Sequence, residues 1–193
     1  AALEPALNSK ALRVANVGTS THGLALRAIT FGTGPTTVFL WSQMHGDEST
    51  ATMALADLLS WFGESERTRD VLRDRLAARL TVVMVPMLNP DGAELFQREN
   101  AVGVDINRDV RRLSTPEARA LKALRDSIAP AFGFNLHDQN ARTLGGPNGQ
   151  RVGIALLAPA ADAENGHGPT RAAARPVAAR IRTVLEREIP GRV

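Results

Sequence analysis

His45 and Glu48 stand three residues apart directly after the apolar run 37–41 (TVFLW), which brings an imidazole and a carboxylate together where a strand ends. Both are zinc-ligand types, and a third imidazole from another strand end would complete a site of three protein ligands with one open position. His137, at the end of residues 132–136, is the fitting third donor. With four histidines and ten glutamates in 193 residues, a His-x-x-Glu spacing arises by chance about 0.2 times, so its position after a strand matters more than the spacing. Taken singly, either histidine could also be an ordinary hydrogen-bonding loop residue. A metal-bound imidazole needs an acceptor on its other nitrogen. Asp105 is assigned to His45 in that capacity, with a turn-forming aspartate as the alternative. Arg98, Asn107 and Arg108 form a polar, cationic cluster between two predicted inner strands. Forked guanidinium groups suit carboxylates and can polarise a carbonyl oxygen, although a lone arginine is more often a surface ion-pair residue. Asn89-Pro90-Asp91-Gly92 is another polar loop at a strand end, and Asp138, beside His137, reads as an exposed loop carboxylate, with a polar group supporting the metal ligands as the alternative.

The elements that must position these groups follow from apolar periodicity. Residues 24–30 alternate, 32–35 (GTGP) supply a turn, and 37–41 are mostly apolar, which predicts a hairpin whose second strand is central. Residues 49–62 carry Met53, Leu55, Leu58, Leu59 and Phe62 at helical spacing, and 67–76 repeat the pattern after a polar break; both predict covering helices. Residues 80–86 (LTVVMVP) are β-branched and apolar on both faces, as in a strand buried between helices. Ser114-Thr115-Pro116-Glu117 offers cap candidates, a first-turn proline and a glutamate favourable to the helix dipole, so a helix is expected to about Ile128. Residues 132–136 predict a third inner strand, 145–149 a loop, 152–157 a strand, and 170–188 a helix that Pro176 kinks or restarts. There is no internal repeat or linker. The expected fold is α/β: one domain over residues 1–193, with a central mixed, largely parallel twisted sheet, helices on both faces, and ligands at the strands' carboxyl ends.

A chain of 193 residues can bury about 70% of its unfolded surface, so a metal is not required for a core. Cysteine is absent, which rules out thiolate ligands and leaves His, Asp and Glu for any zinc. The pI of about 10.4 is not a nucleic-acid signature. Net charge is only +3, and the 21 arginines, against two lysines, are interleaved with Asp, Glu and Ala at helical spacing. No nucleic acid and no membrane is expected as a partner, because no basic face and no run of roughly 18 apolar residues is present. The chain as given reads as soluble, with a cytoplasmic setting favoured.

The ordered set His-x-x-Glu, Asn-Pro-Asp-Gly, an isolated Arg98, Gly103-Val-Asp-x-Asn-Arg108 and a strand-end His137 resembles the zinc carboxypeptidase superfamily of the M14 type, over about residues 21–157. The resemblance implies one Zn2+ held by His45, Glu48 and His137, with Asp105 behind His45. It implies that Arg98 polarises the scissile carbonyl, and that Asn107 and Arg108 hold the terminal carboxylate of a peptide cleaved by a zinc-activated water. The family's general base is a glutamate on an inner strand well beyond the third ligand, and its substrate-covering residue is a tyrosine. Here only Glu164, Glu186 and Glu188 follow His137, and tyrosine is absent, so the chain is expected to lack the C-terminal part of the fold. Two alternatives stay open. One is an amidohydrolase resembling aspartoacylase or succinylglutamate desuccinylase, acting on an acyl amino acid; the other is a domain that binds zinc and a peptide terminus without cleaving it.

Overall fold

The computed structural model describes residues 8–63, 70–139, 142, 144–145, 149–151, 153–159 and 168–190. The chain divides into two compact units, one ending at Asp138 and the other starting at Gln139.

The first unit is built on a five-stranded sheet. Its strands are β1 (Leu12–Thr19), β2 (Ala25–Phe31), β3 (Thr36–Ser42), β4 (Leu80–Val85) and β5 (Phe132–Leu136), in the spatial order β1-β2-β4-β3-β5. β1 and β2 pair antiparallel, with an irregularity between Asn16 and Gly18. The apolar strand β4 takes the centre because it can bury both faces. Val82 and Met84 enter one core cluster, while Val83 and Val85 enter the other. β4 runs antiparallel to β2, with Ile29 opposite Met84, and parallel to β3, with Val38 opposite Val82. The sheet is therefore mixed, with its parallel half, β4-β3-β5, carrying the predicted site strands.

Two strand expectations are corrected. β2 and β3 are joined by the 32–35 turn but are not a hairpin, since β4 lies between them; the hairpin partner of β2 is β1. β5 is an edge strand rather than an inner one among the described residues: it pairs with β3 alone, and Phe132 is exposed.

Helices cover both faces. On one face, α1 (Thr50–Gly63) buries Leu55, Leu59 and Phe62 against Ile29, Phe31 and Met84. The rings of Phe31 and Phe62 stack with centroids 3.9 Å apart. Each of these side chains contributes about 1.5–3 kcal/mol through burial. α2 (Val71–Arg79) starts where Asp70 accepts from the backbone N–H groups of Leu72 and Arg73, four residues later than the periodicity suggests. On the other face, α4 (Pro116–Ile128) sets Ala118 beside Phe39, Val83 and Ile106. Its cap is Thr115, whose hydroxyl accepts from Ala118 N–H, with Pro116 in the first turn as the sequence predicts. Between these helices lie the short α3 (Pro90–Leu95) and a 3-10 turn, Ile106–Arg108.

The second unit contains the two-residue strands β6 (Leu144–Gly145) and β7 (Gln150–Arg151), paired antiparallel, and α5 (Pro169–Glu188), which runs through Pro176 as one helix. The strand expected over 152–157 is not found at 153–157, and Val152 lies outside the described residues. Among the described residues no helix is long and apolar enough to cross a membrane.

Candidate metal centre

β3 ends at Ser42, and the next residue, Gln43, adopts a left-handed backbone conformation (φ 49°) that turns the chain so that His45 follows at once. For a non-glycine residue this costs about 1–3 kcal/mol unless its surroundings fix it. They do. Gln43 is buried, its amide nitrogen donates to the Gly46 carbonyl at 2.8 Å, and its amide oxygen accepts from the Thr52 hydroxyl at 2.8 Å. Gly46 is required by contact: a Cβ there would lie 2.0 Å from the backbone carbon of Gly92. The His-Gly turn and the Asn89–Gly92 loop thus lie backbone against backbone.

That second loop is structural. Asn89, fully buried, caps α3 by accepting from Gly92 N–H, and its amide donates to the carbonyls of Met44 and Glu99. Asp91, 1% exposed, accepts from the Ser20 hydroxyl at 2.7 Å and from His22 N–H at 3.0 Å. Glu117 lies in the first turn of α4, as expected, and is also fully buried, where it accepts from Thr21 N–H at 2.7 Å, the Thr21 hydroxyl and the Asn100 amide. Neither Gln43 nor the tether at Glu117 left a signal in the sequence, because their partners lie on turns that no periodicity describes.

The three predicted ligands converge. His45 Nδ1 lies 2.7 Å from Glu48 Oε1, and His137 Nδ1 lies 2.7 Å from Glu48 Oε2. One ligand atom from each residue fits within 4.8 Å of the others, a group that could hold a metal ion. His45 is buried, 2% exposed, while His137 and Glu48 are open enough to meet solvent. Asp105 Oδ1 lies 3.2 Å from His45 Nε2, on the side away from Glu48. With Nε2–H donating to that carboxylate, the Nδ1 lone pair faces Glu48, so imidazole and carboxylate present two acceptors to one point. The donor set therefore fits zinc, which binds imidazole and carboxylate together.

Asp105 is shared. It caps the 3-10 turn by accepting from Asn107 N–H at 2.8 Å, and its Oδ2 accepts from Arg98 Nε at 3.1 Å and Nη2 at 3.0 Å. Burial pushes its carboxyl up, but the hydrogen bonds and charge of Arg98 outweigh this and hold it below the usual carboxylate range. Arg98 Nη1 also reaches His45 Nδ1 at 3.1 Å and Glu48 Oε1 at 3.6 Å, so the guanidinium borders the donor group. A metal ion held by His45 would replace that one contact, and Arg98 would keep its bonds to Asp105. Asn107 and Arg108 occupy the 3-10 turn, Asn107 half-buried and Arg108 exposed. The Arg108 guanidinium has no hydrogen-bond or ion-pair partner among the described residues.

Asp138 corrects the expectation of an exposed loop carboxylate. It is half-buried; Oδ2 accepts from Thr50 N–H at 3.2 Å and the Thr50 hydroxyl at 2.8 Å, and its own N–H donates to Glu48 Oε2 at 3.3 Å. Of the later glutamates, Glu186 pairs with Arg182 and Glu188 with Arg187 on the exposed surface of α5, and Glu164 lies outside the described residues.

Comparison with known proteins settles the family. The sequence profile of zinc carboxypeptidases matches residues 5–143, well over half of the chain. The chain belongs to the zinc carboxypeptidase family. It is 27% identical over 110 residues to Carboxypeptidase 2 of Trichophyton rubrum, covering 57% of this chain and 20% of that protein. It is 31% identical over 122 residues to the Carboxypeptidase N catalytic chain of Rattus norvegicus, covering 53% and 27%. The fold matches that of a metallo-carboxypeptidase from Burkholderia cenocepacia with a TM-score of 0.65 and 24% identity, over 72% of this chain and 39% of that one. The chain thus spans between about a fifth and two fifths of the length of these zinc carboxypeptidase relatives.

Proposed function

We propose that this chain carries the zinc-binding and carboxylate-recognising part of a metallocarboxypeptidase that hydrolyses the C-terminal peptide bond of peptides. The observation that carries the reading is the convergence of His45, Glu48 and His137, with Asp105 on the far nitrogen of His45. Zinc, when bound, supplies Lewis acidity and lowers the pKa of water. Asp105 fixes the tautomer and orientation of His45. Arg98, held by Asp105 at the border of the ligand group and 41% exposed on its side chain, presents a fixed positive charge to a carbonyl oxygen that becomes an oxyanion. The unpartnered guanidinium of Arg108, with Asn107 beside it on a turn that Asp105 caps, is free to take the substrate's terminal carboxylate as a forked pair. This selects the last peptide bond.

One observation favours a second reading, a domain that binds zinc and peptide termini without turnover. Among the described residues, the glutamates after His137, Glu186 and Glu188, are paired with Arg182 and Arg187 on their own helix, so none is identified as the general base such hydrolysis needs. The experiment measures zinc content together with turnover of a blocked dipeptide and of an N-acyl amino acid. Peptide turnover that is lost with zinc in His45→Ala, Glu48→Ala and His137→Ala supports the carboxypeptidase. Zinc with carboxylate affinity but no turnover, also in the longest natural form of the protein, supports the binding domain. Turnover confined to the acyl compound points to the amidohydrolase, and unchanged zinc in all three variants overturns the site. In Arg108→Ala, affinity for a free-acid ligand is expected to fall by about 2–4 kcal/mol while that for its amide is unchanged.

A further inference from the structure

The metal ligands sit on two arms far apart in sequence. His45 and Glu48 lie on the turn that leads into α1, and His137 lies at the end of β5. Nothing covalent sets their spacing, yet a tetrahedral zinc site tolerates errors of only about 0.2 Å in ligand distance. Asp138 touches both arms. Its main-chain N–H donates to Glu48 Oε2 at 3.3 Å, the oxygen that also meets His137 Nδ1 at 2.7 Å. Its side-chain Oδ2 accepts from the backbone N–H and hydroxyl of Thr50, two residues beyond Glu48 and the first residue of α1.

α1 begins at Thr50, directly after Asp47-Glu48-Ser49, and among the described residues no local side chain is seen capping it. No acidic residue lies in its first turn, whereas α2 and α4 are capped locally by Asp70 and Thr115. The carboxylate of Asp138, 88 residues further along the chain, supplies an acceptor and a negative charge at the positive end of the helix. Its other oxygen, Oδ1, is buried with no hydrogen-bond partner among the described residues.

We propose that Asp138 is a positioning residue that locks the His137 arm to the His45–Glu48 arm by capping α1 from β5, and so presets the geometry of the metal centre. This rests on the zinc-site reading above. Zinc affinity of the whole chain is measured by competition with a chromophoric chelator, and ligand geometry by the d–d absorption of the Co2+-loaded chain. Asp138→Ala is expected to weaken zinc about 10–100-fold, the range for partners that orient metal ligands, and to shift the Co2+ bands. Asp138→Asn, whose amide oxygen can still accept from Thr50, is expected to recover most of the loss. Thr50→Val removes the hydroxyl donor from the opposite side and is expected to weaken zinc in the same direction with Asp138 intact.

Asp70→Ala is the control. It removes the cap of α2, away from the ligands, and is expected to lower thermal stability without changing zinc affinity or the Co2+ spectrum. Zinc affinity in Asp138→Ala and Thr50→Val equal to that of the unmodified chain overturns the proposal. So does a loss no larger than that in Asp70→Ala, or an Asp138→Asn variant as weak as Asp138→Ala. Failure of the unmodified chain to bind zinc is a different result and overturns the zinc-site reading itself.

Discussion

Asp105→Ala is the most informative single perturbation of the centre, because one carboxylate serves three neighbours. It faces His45 Nε2 at 3.2 Å, holds Arg98 through Nε and Nη2, and caps the turn of Asn107 and Arg108. Loss of the cap costs about 1 kcal/mol. The Arg98 pair is partly exposed, with side-chain exposures of 41% and 20%, so its share is held to at most about 1 kcal/mol. Together these predict about 2 kcal/mol lost from the metal-free chain, read as a lower midpoint in urea or a Tm lower by about 4–8 °C. Removing the acceptor behind a metal-binding imidazole adds a separate effect, a 10–100-fold loss of zinc affinity, or about 1.4–2.7 kcal/mol. Asp105→Asn keeps an acceptor for His45 and Asn107 but gives up the charge facing Arg98, so its zinc affinity is expected to lie between the two. Chelator competition and urea titration on the same samples separate the effects. Zinc affinity within twofold of the unmodified chain in Asp105→Ala would refute the role given to Asp105, even if stability fell as predicted.

Asp109 governs an acid limb of stability. Burial pushes its carboxyl up, but bonds from the hydroxyls and N–H groups of Ser114 and Thr115 outweigh this and hold it at about 2, against 3.8 for a free carboxyl. A depressed folded-state value means that the contribution is complete above about pH 4 and disappears as pH falls towards 2, by at most about 2 kcal/mol. Urea midpoints of Asp109→Asn are expected to fall less steeply across that window, and parallel pH profiles would contradict the assignment. Glu117→Ala leaves Thr21 N–H, the Thr21 hydroxyl and the Asn100 amide without their buried acceptor, for a loss of about 2–4 kcal/mol. A change below about 0.5 kcal/mol would show that the tether is dispensable. Leu59→Ala, at a fully buried position of α1, should cost about 2–5 kcal/mol in the same assay, with zinc affinity nearly unchanged once the chain is folded.

The sequence determined which segments become elements wherever a single local pattern was present. The two-faced apolar run of β4, the helical spacing of α1 and the Ser-Thr-Pro-Glu start of α4 could each be read within one window. It also offered the candidate ligand set, because His45 and Glu48 share one turn and His137 closes a recognisable strand. β1 escaped notice because Asn16 and Gly18 interrupt its alternation and most of its side chains face solvent.

Tertiary structure alone decided the pairing. Alternation says which face of a strand is apolar but not which strand lies beside it, so the insertion of β4 between β2 and β3 could not be read from the turn that joins them. The same limit hid the distant partners of Asp91, Glu117 and Asp138, among them donors 69 to 96 residues away in sequence. A carboxylate's type reveals that it needs donors or water. Only the fold supplies the donors, and here that turned an apparent loop residue, Asp138, into the link between the two arms of the centre.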